Sequence, residues 1–359
     1  MKNINIYNND KLSPLTYMIL TLYGSRSLFN GIAFTNILET SKYDAWLSSL
    51  ISVFIGFIFI LIMCHINKKD INLFKNSNKF INTFLFIYLS LSFIILLNDF
   101  VNFSSIKYLF ETSNIFIALI FIIPMLYIAN KGIETIGRTG LFMMYISVFI
   151  FNASAITLGQ YIEITNIKPI LIKGITPVII GALKESIYMI GPMTLINILP
   201  KGNENYKKFN KSLIIAYIMS SLSIFTIMFY ITTIYNYNYI SLFNYPVYFL
   251  LKKVEYEFIS NAENILSFIY ILDYFFCLLS YIYLFYYYLK INYNLKEKTN
   301  KIVTILITIV FTIISIFGYQ KIETVELMKK DSFVIISAVF IIIYLSYGLL
   351  KKPKKNLRL

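Results

Sequence analysis

Ten apolar runs, each long enough to cross a bilayer, divide this chain and leave almost no soluble fold open to it. A helix needs about 20 mostly apolar residues to span ~30 Å of hydrocarbon. Runs of that order lie at about 12–34, 44–65, 80–101, 112–130, 136–158, 175–199, 211–236, 264–290, 301–320 and 332–350. The reading is a single all-α integral membrane domain over 1–359, with ten transmembrane helices. Composition agrees: 58% of the 359 residues are hydrophobic and only 14% are charged, against roughly a quarter charged in soluble domains. No cleavable signal peptide is expected, because the first eleven residues are polar and the run that follows is too long for a signal core.

Loop charges test this count independently, since Lys and Arg concentrate on the cytoplasmic side. With the N-terminus placed there, that side receives 21 basic residues and the other side nine. The acids divide the opposite way, five against ten. Both termini are therefore expected in the cytoplasm. The formal charge of +14 is spread over loops rather than gathered on a nucleic-acid-binding face, and the basic tail 351–359 reads as an orientation signal that meets anionic lipid.

Five charged residues remain inside the spans: Arg26, Asp99, Lys184, Glu185 and Asp273. Asp99 lies near the outer end of span 3 and is set aside as interfacial. A lipid-facing charge at mid-depth costs ~2.5–3.5 kcal/mol on insertion scales, so the other four are expected to face one another as a net-neutral cluster. Arg26 pairs with Glu185 or with Asp273 if spans 1, 6 and 8 meet. Two roles remain open for such pairs: they line a functional site, or they lock helices together. Glu185 and Asp273 are also the candidate proton or cation sites.

Spans 1 and 6 share a local pattern. Each opens with a hydroxyl residue and proline, Ser13-Pro14 and Thr176-Pro177, which suits an N-cap followed by proline in the first turn. About a dozen residues later comes Gly24-Ser25-Arg26-Ser27 in span 1. Span 6 carries Gly181 to Glu185 and then Gly191-Pro192. Glycine, serine, a mid-helix charge and proline all disfavour continuous helix, so both spans are predicted to break near the midplane. They stand five helices apart, which makes 12–158 and 175–350 two repeats of opposite orientation, the arrangement of inverted-repeat transporters. Gly31, Gly56 and Gly140 read as packing glycines. The segment Tyr237 to Asn261, with Tyr245-Pro246 and the alternation Val247 to Phe258, is expected to form short helices over the outer mouth.

No catalytic constellation is present. Phosphate loops, nucleophile elbows and HExxH patterns are missing, and Cys64, Cys277 and His65 make neither a metal site nor a disulfide framework. Neither an enzyme nor a cofactor is expected.

An ordered set of short motifs carries a resemblance. Ser13-Pro14 opens span 1, Tyr43-Asp44-Ala45-Trp46-Leu47 opens span 2, Lys184-Glu185 lies in span 6 ahead of a Pro200-Lys201 exit, and Tyr245-Pro246-Val247-Tyr248 precedes span 8. In this order, over nearly the whole chain, they resemble the spore germination permeases, the B subunits of GerA-type germinant receptors in the amino acid/polyamine/organocation superfamily. The resemblance implies a LeuT-like 5+5 fold with helices 1 and 6 broken, in the inner membrane of a bacterial spore. It also implies a complex with an A subunit and a lipoprotein C subunit, and a nutrient, usually an amino acid, bound between helices 1, 3, 6 and 8. Carried over by position, Tyr23, Gly24, Ser25, Arg26 and Ser27 would cradle that ligand together with Gly181, Lys184 and Glu185. Glu185 matches the acid that follows a glycine in the family's sixth helix. Arg26 and Lys184 depart from the family's small residues, and Cys277 from an expected lysine, which weakens the case for sodium coupling. The first functional reading is a germinant-sensing, transporter-like subunit; the alternatives are a proton-coupled amino acid transporter and a ligand-gated ion pathway.

Overall fold

The computed structural model describes residues 10–69, 79–202, 205–254, 261–318 and 331–351, and its named elements are all helices. The apolar runs become helices with shifts of a few residues. Span 2 is Ala45–Asn67, span 3 Lys79–Lys107, span 4 Asn114–Ala129, span 5 Ile133–Gly159 and span 6 Thr176–Asn197. Span 7 is Tyr206–Ile234, span 8 Phe268–Tyr293, span 9 Glu297–Gly318 and span 10 Asp331–Leu350. Eight helices among the described residues are long and apolar enough to cross a membrane, with Ile32–Asn67 counted as one through the turn at Lys42–Asp44. The short span 4 and the divided span 1 account for the remaining two.

Span 1 is interrupted, as its sequence predicts. Ser13 caps it by accepting from the Thr16 amide at 3.3 Å, with Pro14 in the first turn. The helix runs over Pro14–Arg26, tightens into a 3-10 turn at Ser27–Asn30 and resumes at Ile32–Ser41. The hydroxyls of Ser25 and Ser27 donate to the Leu22 and Gly24 carbonyls, each at 2.8 Å. Such local bonds compete with the helix ladder and favour a tighter turn.

Span 6 departs from expectation. Thr176–Asn197 is one helix through Gly181–Glu185 and through Gly191–Pro192, and Thr176 is its first helical residue rather than a cap. Side chains ahead of and within span 2 supply the reason. Ser41 and Ser48 donate to the Pro177 and Val178 carbonyls at 3.1 and 3.0 Å, and Ser186 of span 6 donates to the Ser52 carbonyl at 3.2 Å. A helix whose polar edges are met by a neighbour has no need to unwind, and its glycine serves close approach instead. A Cβ on Gly181 would strike the Ser41 and Ser48 hydroxyls. Gly181→Val is therefore expected to lose about 1–3 kcal/mol by overpacking, read as a lower melting temperature of the detergent-solubilised protein; an unchanged melt would refute this packing role.

Spans 1 and 8 form the centre. Span 1 packs on spans 5, 6, 7 and 8, and span 8 also on spans 3, 4 and 9. The end of the bundle that carries the lysine-rich loops is tied shut around span 1. The Leu12 amide donates to the Pro200 carbonyl at 2.9 Å, Tyr17 donates to Asn197 at 2.6 Å, and Glu134 of span 5 accepts from the Ser13 amide and the Thr16 hydroxyl. At the far end lie the short helices Tyr237–Ile240 and Pro246–Leu251, as the Tyr237 to Asn261 segment suggests, and a third, Ala262–Leu266, just beyond it. The part of the Val247 to Phe258 alternation beyond Val254, and the tail beyond Lys351, lie outside the described residues.

Candidate functional site

The interruption of span 1 delivers Arg26, the last residue of its first half, to the side of span 8. Arg26 Nη2 lies 2.6 Å from Asp273 Oδ1, with the side chains only 13% and 3% exposed. Two charges that would each be costly alone in the membrane thus share one site. The guanidinium sits 5.8 Å from the centre of the Tyr23 ring. That ring is fixed in turn, stacked on Phe276 at 4.7 Å and donating to the Gly140 carbonyl at 3.2 Å. Arg26 Nε is buried without an acceptor, so the guanidinium keeps a donor in reserve.

A small cavity of about 30 Å³ opens beside the pair. Arg26, Asn30 and Asp273 form its charged and amide end, and its walls come from spans 1, 5, 7 and 8 and from the short far-end helices. Leu250, Leu251 and Leu266 close it toward the far end. Asn30 is oriented by donation to the Tyr270 carbonyl of span 8 at 3.2 Å. Apolar walls with a few convergent polar groups are the make-up of a small-molecule site, while the volume is well below the roughly 300–1,000 Å³ of an open one.

The other residues singled out in the sequence are dispersed. Lys184 turns to the far end, where Nζ meets Asp331 of span 10 at 2.6 Å and donates to Asn36 and Thr40 in the second half of span 1 at 3.0 and 2.8 Å. Glu185 faces span 2, its Oε1 accepting from Ser49 and Ser52 at 2.7 Å each, while Oε2 is buried without a partner. Spans 1, 6 and 8 do meet, but successive residues on a helix point about 100° apart, so Lys184 and Glu185 cannot both join Arg26. The single net-neutral cluster is accordingly replaced by one pair, Arg26–Asp273, and two separate contacts. Gly24 serves the crossing of spans 1 and 6, where a Cβ would strike Ile196. Ser25, Ser27 and Tyr23 are fully buried in packing around span 1. The small cavity beside the Arg26–Asp273 pair is walled by spans 1, 5, 7 and 8 and by the short far-end helices.

Asp99 is buried within the bundle. It is 8% exposed and accepts from the Tyr274 hydroxyl at 2.5 Å and the Tyr245 hydroxyl at 3.4 Å. Its Oδ1 would lie 2.9 Å from a Cβ on Gly31, at the interruption of span 1. Its two tyrosines stand beside residues already notable in the sequence, Asp273 and Pro246. Ser49 and Ser52 were legible only as a three-residue serine spacing on an apolar helix.

Comparison with known proteins follows this geometry. A family model described as "Spore germination protein" matches residues 15–325. YfkT of Bacillus subtilis (strain 168), whose name assigns it to spore germination, is 23% identical over 241 residues. That match spans 64% of this chain and 66% of the relative's length, so the chain matches slightly less than two thirds of YfkT. Among solved structures, that of MhsT in complex with L-phenylalanine superposes with a TM-score of 0.63 at 13% identity, covering 94% of this chain and 90% of the other. The likeness establishes a LeuT-like transporter fold.

Proposed function

The chain belongs to the spore permease family of spore germination proteins, and from that premise we propose that it is the germinant-sensing, transporter-like subunit of a spore germination receptor. It works in the spore's inner membrane, both termini cytoplasmic, beside an A subunit and a lipoprotein C subunit, and its ligand is a small nutrient with the charges of an amino acid. The observation that carries this reading is the buried Arg26–Asp273 pair at the interruption of span 1, opening onto a cavity. An amino acid offers the mirror image of that pair. Its carboxylate suits the planar donors of Arg26 and its ammonium suits Asp273. A ligand that takes up both charges frees the broken helix from span 8, and an arrangement that binds ligand better becomes the populated one. Partner subunits then read that arrangement. The solved complex of MhsT with L-phenylalanine supports an amino acid as the ligand class.

The test is deletion of the gene in its spore-forming host, followed by exposure of the spores to single amino acids while refractility is recorded. Loss of the response to a particular amino acid is expected, restored by the wild-type chain and not by Arg26→Gln. Unaltered responses in a host without parallel receptors would refute the reading.

Glu185 favours a second reading, since a buried carboxyl oxygen without a partner is a place for a proton in a transport cycle. Proton-gradient-dependent uptake of a labelled amino acid into vesicles, lost in Glu185→Gln, would establish it. Under the sensing reading, Glu185→Gln keeps an acceptor for Ser49 and Ser52 and leaves the germination response in place.

A further inference from the structure

We propose that the open groove between the lysine-rich ends of spans 2 and 7 is a binding site for an anionic phospholipid. Lys68, Lys207 and Lys211 hold its phosphate, and Ile214 and Ile215 meet its acyl chains. The groove is shallow, about 400 Å³ in volume, and is also lined by Tyr206 and Asn210. Its described lining residues thus include three cations and no acid. All three lysines are exposed, and the ion pairs formed among the described residues do not use them. Like charges around one groove repel one another, and a bound phosphate relieves that repulsion. Nearby lysines are engaged elsewhere. Lys69 Nζ donates to the Gly348 and Leu349 carbonyls at the end of span 10, and Lys201 Nζ to Asn67 and Asn197.

The order of side chains along span 7 selects a lipid over a soluble anion. Lys68 directly follows span 2, and Lys207 and Lys211 stand in the first two turns of span 7, so their ammonium groups lie at the membrane–water boundary. Residues four apart share a helix face, and the face that carries Lys207 and Lys211 continues to Ile214 and Ile215. From Lys207 to Ile215 is about 12 Å along the axis. Cation above and apolar side chain below match the phosphate and the acyl chains of a phospholipid in the same sequence. Tyr206, 39% exposed, stands at the rim, where aromatic residues anchor at the interface. A free phosphate meets only the lysines, and a zwitterionic lipid brings a further cation to a site that already has three.

The floor of the groove is fixed. Asn210 donates to the Cys64 carbonyl at 2.9 Å and accepts from Asn67 at 3.1 Å. Asn67 also accepts from Asn197, which is the acceptor for Tyr17 of span 1. A lipid seated there braces spans 2 and 7 beside the contacts that close this end of the bundle, and stabilises that arrangement by mass action.

The experiment uses the full chain in an uncharged detergent. Melting temperature and lipid retention in native mass spectrometry are recorded with phosphatidylglycerol, with phosphatidylcholine and with inorganic phosphate. Phosphatidylglycerol is expected to be retained and to raise the melting temperature, and the other two are not. Lys207→Gln with Lys211→Gln is expected to weaken phosphatidylglycerol binding about tenfold or more, whereas Lys207→Arg with Lys211→Arg keeps it. Lys296→Gln with Lys298→Gln removes the same charge from exposed sites at the same end and is expected to leave binding intact. Should the Lys207 and Lys211 glutamine pair not accumulate, Lys68→Gln is titrated in its place, with weaker phosphatidylglycerol binding expected and unchanged binding overturning the proposal. Equal losses in the two glutamine pairs would overturn the site in favour of diffuse attraction to a basic surface. Phosphatidylcholine bound as tightly as phosphatidylglycerol, or inorganic phosphate raising the melting temperature as much, would overturn it as well. None of these outcomes bears on the amino-acid reading, which rests on Arg26 and Asp273.

Discussion

Arg26→Ala is expected to destabilise the protein by about 3–5 kcal/mol, the range for breaking a buried ion pair by removing one partner. The large size comes from what stays behind. Asp273 is 2% exposed, and its ion pair is the 2.6 Å contact with Arg26; without the guanidinium, a carboxylate is left in apolar surroundings. Asp273→Ala is expected to cost a similar amount, because it strands the arginine, whose Nε already has no acceptor. The double variant Arg26→Met with Asp273→Leu separates stability from function. It removes both charges and fills similar space, and well-packed apolar replacements of buried pairs are often neutral or stabilising. Its melting temperature in detergent should return close to that of the wild type while the germination response stays lost. A double variant that still responds to the same amino acid would show that the pair only locks span 1 to span 8. Single variants that melt like the wild type would refute the pairing itself.

Asp99→Ala is expected to cost about 1–3 kcal/mol, because it removes the carboxylate acceptor of the buried Tyr274 phenol, whereas Tyr245 also reaches the Asp99 main-chain carbonyl at 3.4 Å. Tyr274 and Tyr245 both donate to it, from span 8 and from the far-end segment, so one carboxylate joins three parts of the fold beside Gly31. Asp99→Asn keeps one acceptor oxygen and should fall between alanine and the wild type. A double-mutant cycle of Asp99→Ala with Tyr274→Phe isolates the pairwise energy; a coupling indistinguishable from zero in the melting data would remove Asp99 from this role.

Much of this protein is legible along the chain. The helix spans, the cap at Ser13, the interruption of span 1 and the short far-end helices follow from apolar run length, capping chemistry and serine-rich local bonding, all of which act within a few residues. The family is legible in the same way, from motifs in a fixed order. The continuity of span 6 is not, since Gly181 and Pro192 weaken a helix in isolation, whereas the serines that brace it, ahead of and within span 2, are more than a hundred residues away.

Partner choice is where local reasoning ends. Arg26 could be assigned to Glu185 or to Asp273 with equal warrant, because helices that are apolar nearly all round carry no stripe to say which face meets which. Only the rotation of spans 6 and 8 about their axes turned Asp273 toward Arg26, Glu185 toward Ser49 and Ser52, and Lys184 toward Asp331. Run length, charge and local helix breakers determined that this chain lies in a membrane as apolar spans with a cation in an interrupted first helix, and they also pointed to a break in the sixth, which packing keeps whole. Tertiary packing decided which acid meets that cation and where the cavity opens, because the free energy of a buried charge depends on its neighbours in space rather than on its neighbours in sequence.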